Sequence, residues 1–143
     1  MKKKLYFLLA CITMSTYLWA QTPILGEWIT VDDKTGEHLS VVSIYKTEKG
    51  TYEGKIITLI GANGDERCVA CTGEDYNQPV EGLIIIRNMQ LKKEELCGGK
   101  VLDPDNGKFY YGKIYLNEEG NLVLRGSLDK AGILGRSQVW LRK

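Results

Sequence analysis

Two cysteines separated by two residues are the first feature of the sequence that could carry chemistry. Cys68 and Cys71 lie in the stretch Glu66–Gly73, which reads ERCVACTG. Such a pair can be a redox couple at the start of a helix, half of a zinc site, or a short disulfide. The three possibilities imply different classes of protein, so the surrounding residues must decide between them.

The surroundings of the pair do not favour redox catalysis. A thioredoxin-like pair opens a helix, whose N-terminus stabilises the thiolate. Here the pair lies in a polar loop, Gly61–Glu81, without helical periodicity. The acidic neighbours outnumber the single Arg67 and would raise the pKa of a thiol; they are Asp65, Glu66, Glu74 and Asp75.

A zinc site is also disfavoured, because its ligands would be scattered. Beyond the pair, Cys97 and His38, the only histidine, remain as ligands, without a second Cys-x-x-Cys or a histidine pair. We therefore predict no metal and no cofactor. In an oxidising compartment Cys68 and Cys71 are expected to form a disulfide that pins the loop. Cys97 is then left unpaired, although it could instead pair with Cys68 or Cys71.

Other candidate catalytic groups are better explained as turn and strand residues. His38 stands near Ser40 and Ser43, but no nucleophile is marked out for a triad. Asp32–Gly36 and Asp103–Gly107 are rich in Asp, Asn and Gly, which hairpin turns use for backbone reasons. The second stretch also resembles the opening of a calcium loop, but the remaining ligands and the closing glutamate are missing. We predict no catalytic residues.

Tyrosines are the remaining candidates for contact with a small ligand. The chain has eight, and several fall in predicted strands, where they could line a pocket or simply fill strand positions. The candidate ligand-binding residues are Tyr45, Tyr52, Tyr111 and Tyr115.

The first twenty residues predict export. Three lysines at positions 2–4 precede an apolar run, residues 5–20, that ends in Ala20. This is typical of a bacterial signal peptide, and the run is short for a membrane span of roughly 20 residues. We expect cleavage after Ala20, which leaves residues 21–143 as one domain in the periplasm or outside the cell. Lipoprotein processing at Cys11 is the alternative, but it would leave an apolar segment on the mature chain.

The charge balance excludes one class of partner. Loss of the three lysines leaves 16 Lys+Arg against 18 Asp+Glu, a net charge near −2. Without a basic surplus to neutralise phosphates, a nucleic acid is not an expected partner. A membrane span after cleavage is not expected either.

Short β-rich runs separated by glycine-containing turns predict an all-β domain of about eight strands. Such a meander can close into an antiparallel up-and-down barrel, with a two-sheet sandwich as the alternative. Gly54, Gly112 and Gly126 interrupt strands where a barrel would bend. Asn88–Leu96 is expected to hold a helical turn or an irregular crossover. The predicted strands are residues 25–31, 38–46, 51–60, 82–87, 100–103, 108–116, 121–128 and 135–142.

Two resemblances follow from motifs at the ends and along the chain. Gly26-Glu27-Trp28 near the start, with Arg136 or Arg142 on the last strand, resembles the calycin (lipocalin-like) barrels, which implies a tryptophan plug covered by an arginine. The ordered series of motifs along the chain is similar to the bacterial exported family called domain of unknown function 2147. This resemblance implies a small exported all-β domain and no established activity. Its motifs include residues 32–36, 52–56, 98–108, 124–126 and 134–140.

Two functions are compatible with these features. The first is a non-enzymatic binding module that holds a small apolar or amphipathic ligand inside the barrel. The alternative is a structural or interaction protein of the envelope, with a filled barrel and partner-binding loops at Gly61–Glu81 and Arg87–Gly98. A hydrolase is the least favoured possibility.

Overall fold

The computed structural model describes residues 22–62 and 64–143, so the predicted signal peptide and the alternative at Cys11 lie outside the described residues. Apart from a three-residue 3-10 turn at Gly73–Asp75, the regular structure of the described residues is entirely β. The eight strands are β1 Gly26–Val31, β2 His38–Lys46, β3 Tyr52–Leu59, β4 Ile84–Lys92, β5 Glu95–Asp103, β6 Lys108–Leu116, β7 Leu122–Ser127 and β8 Gly135–Arg142.

Each strand pairs antiparallel with the next, and β8 returns to pair with β1. The predicted closed up-and-down barrel is confirmed, and the sandwich alternative is wrong. The connections β2–β3, β4–β5 and β6–β7 lie at one end, together with the start of β1, and we call this the sealed end. The connections β1–β2, β3–β4, β5–β6 and β7–β8 lie at the other end, which we call the mouth.

The largest difference from the predicted strands concerns β4 and β5. Instead of a crossover at residues 88–96, the chain forms a long hairpin with its turn at Lys93 and Glu94. Asn88 and Gly98 both have positive φ, 54° and 77°. They lie between the paired residues Arg87↔Lys100 and Gln90↔Cys97, so both strands are irregular at the same level. This irregularity breaks the alternation of two, and the strand signal is therefore lost there.

The interior of the barrel is filled by its own side chains. Side chains around an empty chamber would keep surface facing it, but thirteen apolar side chains on the inner face are at most 8% exposed. They are Trp28, Val42, Ile44, Tyr52, Ile56, Ile86, Met89, Leu96, Val101, Ile114, Leu122, Leu124 and Trp140.

Two glycines make this packing possible. A Cβ on Gly112 would overlap Met89 Cε and lie 2.8 Å from Val101 Cγ2, and one on Gly54 would lie 2.6 Å from Ile86 Cδ1. Side chains from β4 therefore occupy the space that a larger residue on β3 or β6 would need. Gly54 and Gly112, which were predicted to mark bends, are here the places where side chains of β4 fill the barrel.

The apolar core continues onto the outside of the barrel, where an outer apolar cluster lies under the β3–β4 loop. Ile86 and Val101 pair and face inward, so their neighbours Ile85 and Leu102 face outward. Both are nevertheless buried, at 6% and 1% exposure. The loop between β3 and β4 covers them with its buried residues Cys68, Cys71, Val80 and Leu83.

Candidate functional site

The sealed end is closed by Trp28 and Arg142. The guanidinium carbon of Arg142 lies 3.7 Å from the centre of the indole ring, and the two residues face each other across β1 and β8. The indole N–H donates to the carbonyl of Ile24 at 2.8 Å, and the guanidinium donates to the carbonyls of Leu25, at 3.1 Å, and Pro23. Trp28 is fully buried beneath this network.

Of the two arginines that the sequence left open, Arg142 covers the tryptophan. Arg136 pairs with Gly126 near the other end of β8, where its side chain is exposed. Both arginines lie on the same side of the strand, because they are six residues apart. The alternation of side chains along a strand therefore cannot distinguish them. Their positions at opposite ends of β8 do, because only Arg142 lies beside Trp28.

Strand alternation separates the four candidate tyrosines. Tyr52 faces inward, is buried and pairs with Met89. Tyr45, Tyr111 and Tyr115 follow or precede inward residues and therefore lie on the outer face. The four side chains do not line one pocket.

The three outer tyrosines have partners of their own. Tyr45 donates its hydroxyl to Glu53 at 2.9 Å, and desolvation together with this carboxylate raises the pKa of Tyr45 to about 12. The ammonium groups of Lys100 and Lys113 lie 5.2 and 5.6 Å from the ring centres of Tyr111 and Tyr115. These are cation–π contacts on the surface of the barrel.

The predicted disulfide between Cys68 and Cys71 is confirmed. Both sulfurs belong to the outer apolar cluster, so the disulfide packs on the barrel rather than standing in solvent. Backbone hydrogen bonds also hold the loop, among them the one from Cys68 N–H to the carbonyl oxygen of Gln78 at 2.9 Å. A bidentate ion pair between Arg87 and Asp75, at 2.8 and 3.0 Å, fixes it from the side.

The remaining candidate ligands stay apart. Cys97 is a free cysteine on β5, and His38 is an exposed residue at the start of β2. In residues 22–62 and 64–143, no three His, Cys, Asp or Glu side chains are grouped as a metal site would require.

The acidic turn residues bind the backbone of their own turns. The Asp32 carboxylate accepts hydrogen bonds from the N–H groups of Lys34 and Thr35, both at 2.8 Å. These bonds hold the pKa of Asp32 below its usual value. Asp103 accepts in the same manner from Asp105 N–H at 3.0 Å.

The mouth is polar inside and carries an exposed apolar loop. Thr30 and Ser40 share a hydrogen bond of 2.7 Å between their hydroxyls, on the inner side of β1 and β2. The β7–β8 loop exposes three large aliphatic side chains to 65–77%; they are Leu128, Ile133 and Leu134.

Side-chain hydrogen bonds hold the backbone of this loop despite its exposure. The Asp129 carboxylate accepts from Ile133 N–H at 3.1 Å and from Leu134 N–H at 2.7 Å, and these bonds lower the pKa of Asp129. The Arg125 guanidinium donates to Gly132 O at 2.6 and 2.9 Å. The aliphatic side chains are thus presented in a fixed arrangement.

Two open grooves lie on the outer surface on either side of Arg87. One, of about 560 Å³, is lined mainly by polar residues of the disulfide loop and by Glu53. The other, of about 450 Å³, lies over Gly98 and Gly99 beside Phe109, whose ring centre is 5.2 Å from the Arg87 guanidinium. Both grooves are outside the barrel.

The comparisons with known proteins agree with this geometry. The family model described as "uncharacterized protein conserved in bacteria (DUF2147)" matches residues 26–142. The chain belongs to the DUF2147 family. The match extends from β1 to the end of β8 and therefore includes Trp28 and Arg142.

A solved structure shares the fold of this DUF2147 chain. It is the protein HP1028 from the human pathogen Helicobacter pylori, described as belonging to the lipocalin family. The TM-score is 0.72 at 22% identity, over 83% of this chain and 82% of that one. Among curated proteins, none matches the sequence.

Within the described residues of the DUF2147 chain, no helix is long and apolar enough to cross a membrane.

Sequence reasoning missed two features of the mouth, the exposed aliphatic loop and the outer apolar cluster beneath the disulfide. The run Leu128–Leu134 gave one usable signal, since large aliphatic residues are unusual in a segment that lies between strands and contains glycine.

Proposed function

We propose that this DUF2147 protein is an exported, non-enzymatic interaction module, which acts through its outer surface on another protein of the bacterial envelope. The observation that carries the proposal is the filled interior. With thirteen inward apolar side chains at most 8% exposed, recognition falls to the loops and grooves outside the barrel.

A small apolar ligand inside the barrel is the competing function. Barrels of eight strands can hold one such ligand or be filled by side chains, and the glycines favour the second outcome. Met89 and Ile86 occupy the space beside Gly112 and Gly54, and Trp28 closes the sealed end. A ligand would therefore need the interior to rearrange, which tightly packed cores resist.

The disulfide supports export and points to one presenting surface. Short disulfides persist in oxidising compartments such as the periplasm, in agreement with the lysine-rich start of the chain. By packing the β3–β4 loop on the barrel, the bond holds Val69, which is largely exposed, and Tyr76 at the surface. A fixed loop loses little entropy when it binds a partner.

Cross-linking in intact cells tests the proposal. A photo-reactive residue is placed at Val69 in the β3–β4 loop, at Ser137 at the mouth, and at Lys113 on the outer wall of β6 as the control; all three positions are exposed. One recurrent protein adduct from Val69 or Ser137, absent from Lys113, is the expected result. No adduct from either position would contradict the proposal.

A further inference from the structure

The barrel is closed along only part of the seam between β8 and β1. β8 pairs with β7 from Gly135 to Trp140. With β1 it pairs only at Arg142↔Trp28 and Leu141↔Ile29, next to a hydrogen bond from Lys143 N–H to Glu27 O at 3.2 Å. Beyond Ile29 no residue of β1 pairs with β8, and in the described chain nothing pairs with the free side of residues 135–139.

The direction of the backbone groups on this free edge follows from the register. Lys143 N–H points towards β1, and hydrogen-bonding groups alternate in direction along an antiparallel strand. β8 has no bulge against β7, so the N–H and C=O groups of Gly135, Ser137 and Val139 point into the open seam. At the start of β8, Leu128 N–H donates to Leu134 O at 2.9 Å, which confirms that the even-numbered residues face β7.

The side chains of β8 and of the β7–β8 loop are apolar on the outer face and basic towards the mouth. Val139, on the outer face, is 43% exposed, and the aliphatic β7–β8 loop continues the same edge. Arg136 lies on the inner side of the strand, and Lys130 is exposed on the loop. Neither makes an ion pair within the described residues, whereas the nearby Asp129 carboxylate is bound by backbone N–H groups.

We propose that this seam binds an extended acidic segment of a partner protein, which adds to β8 as a further strand. Gly135, Ser137 and Val139 supply the backbone hydrogen bonds. Aliphatic side chains of the segment pack on Val139 and the β7–β8 loop, and alternate acidic side chains face Arg136. An unpaired strand edge is the natural template for another strand, and charge complementarity selects an acidic one. The inference rests on the proposed function and names its binding surface.

Synthetic peptides test the chemistry of the site. The probes are the heptapeptide Val-Glu-Val-Glu-Val-Glu-Val and its counterpart with lysine in place of glutamate, each labelled for fluorescence anisotropy. We expect the acidic peptide to bind about tenfold or more tightly than the basic one, because Arg136 and Lys130 lack acidic partners. Amide hydrogen exchange should slow at Gly135, Ser137 and Val139 when the acidic peptide is bound.

Two variants test the position of the site. Ser137→Pro removes a donor on the free edge and leaves the bonds to β7 in place, so it should weaken the acidic peptide about tenfold; Ser137→Ala is its control. Arg136→Glu should invert the preference between the two peptides, and it keeps the test valid if the proline variant does not fold. Absence of binding, equal binding by both peptides, or binding that neither variant changes would overturn the proposal.

Failure of this inference differs from failure of the proposed function. The cross-linker at Ser137 should capture a partner through an extended acidic segment, identified by mass spectrometry of the adduct. Capture only at Val69 would overturn strand addition at the seam and leave the interaction module intact. Binding of vesicles of phosphatidylglycerol through the aliphatic loop, without slower exchange at Gly135, would also overturn the inference.

Discussion

The two ends of the barrel use the same eight strands for different purposes. At the sealed end the buried Trp28, its hydrogen bond to Ile24 and the stacked Arg142 join the first and last strands. At the mouth the seam opens, the inner side chains are polar, and aliphatic residues stand in solvent. We therefore expect substitutions of the plug residues at the sealed end to destabilise the barrel more than substitutions of the exposed residues at the mouth.

The largest effect is expected at the sealed end. Trp28→Ala should lower the free energy of unfolding by about 3–5 kcal/mol, the usual cost of removing a large core aromatic. Leu134→Ala at the mouth should change it by less than about 0.5 kcal/mol, because that side chain is exposed. Urea denaturation of both variants makes the comparison. Similar losses of unfolding free energy for Trp28→Ala and Leu134→Ala would contradict the expected difference between the two ends.

A smaller effect tests whether the interior is filled. Gly112→Ala should cost about 1–3 kcal/mol, because its methyl group would overlap Met89 Cε. Gly126→Ala is the matched control, since its nearest contact would be Tyr110 Cβ at 3.4 Å. Thermal denaturation measures both. Gly112→Ala with unchanged stability would indicate unfilled space in the barrel.

The disulfide should matter less than the barrel plug. Its two cysteines are three residues apart, so loop-entropy models give about 2 kcal/mol or less for its loss. The double variant Cys68→Ala, Cys71→Ala should keep the barrel and loosen the loop, which faster limited proteolysis between β3 and β4 would report. We use alanine because the sulfurs are buried, where a serine hydroxyl would add a desolvation cost. Complete unfolding of the double variant would contradict this expectation.

The arginines at the two ends of β8 give a direct comparison. Arg142→Ala should lower the free energy of unfolding by about 1–2 kcal/mol, through loss of the cation–π contact with Trp28 and of two hydrogen bonds. Arg136→Ala should leave it within about 0.5 kcal/mol, as expected for an exposed residue. Chemical denaturation measures the loss of unfolding free energy for each variant. A larger loss for Arg136→Ala than for Arg142→Ala would place the plug contact at Arg136.

The smallest effect is a pH dependence on the outer surface near the sealed end. The pKa of Tyr45 is raised from 10.0 to about 12, so its contribution to stability is complete below pH 10 and is lost as the pH rises through 12. Wild-type protein should therefore lose stability relative to Tyr45→Phe between these values. Denaturation at several pH values measures the difference. If the stability difference between wild-type protein and Tyr45→Phe does not change between pH 10 and 12, the hydroxyl of Tyr45 has an ordinary pKa.

The fold was predictable from local signals, and the site was predictable only in part. Short β-rich runs predicted the strands, because strand formation depends on residues that are close in sequence. Gly26-x-Trp28 with an arginine on the last strand predicted the plug, because these residue types form a recognisable motif. The β4–β5 hairpin was missed because Asn88 and Gly98 break the alternation together. The proposed tyrosine pocket was not supported, because inward and outward positions depend on the register of each strand.

The open seam had no signal in the sequence. Residues 135–142 read as one continuous strand, and only the course of β1 decides which part of it is paired. Pairing partners of this kind are set by distant residues, so no local pattern predicts where a barrel stops closing. The exposed aliphatic loop beside the seam was visible in the sequence, but its orientation depended on Asp129 and Arg125.

The central claim is that the barrel is filled and acts from outside. Native mass spectrometry of the protein purified from its own cells, followed by extraction with organic solvent, tests this claim most directly. We predict the mass of the polypeptide with one disulfide and no extracted small molecule. A stoichiometric lipid or other apolar compound, released on extraction and displaced when Trp28 is replaced by alanine, would contradict the account.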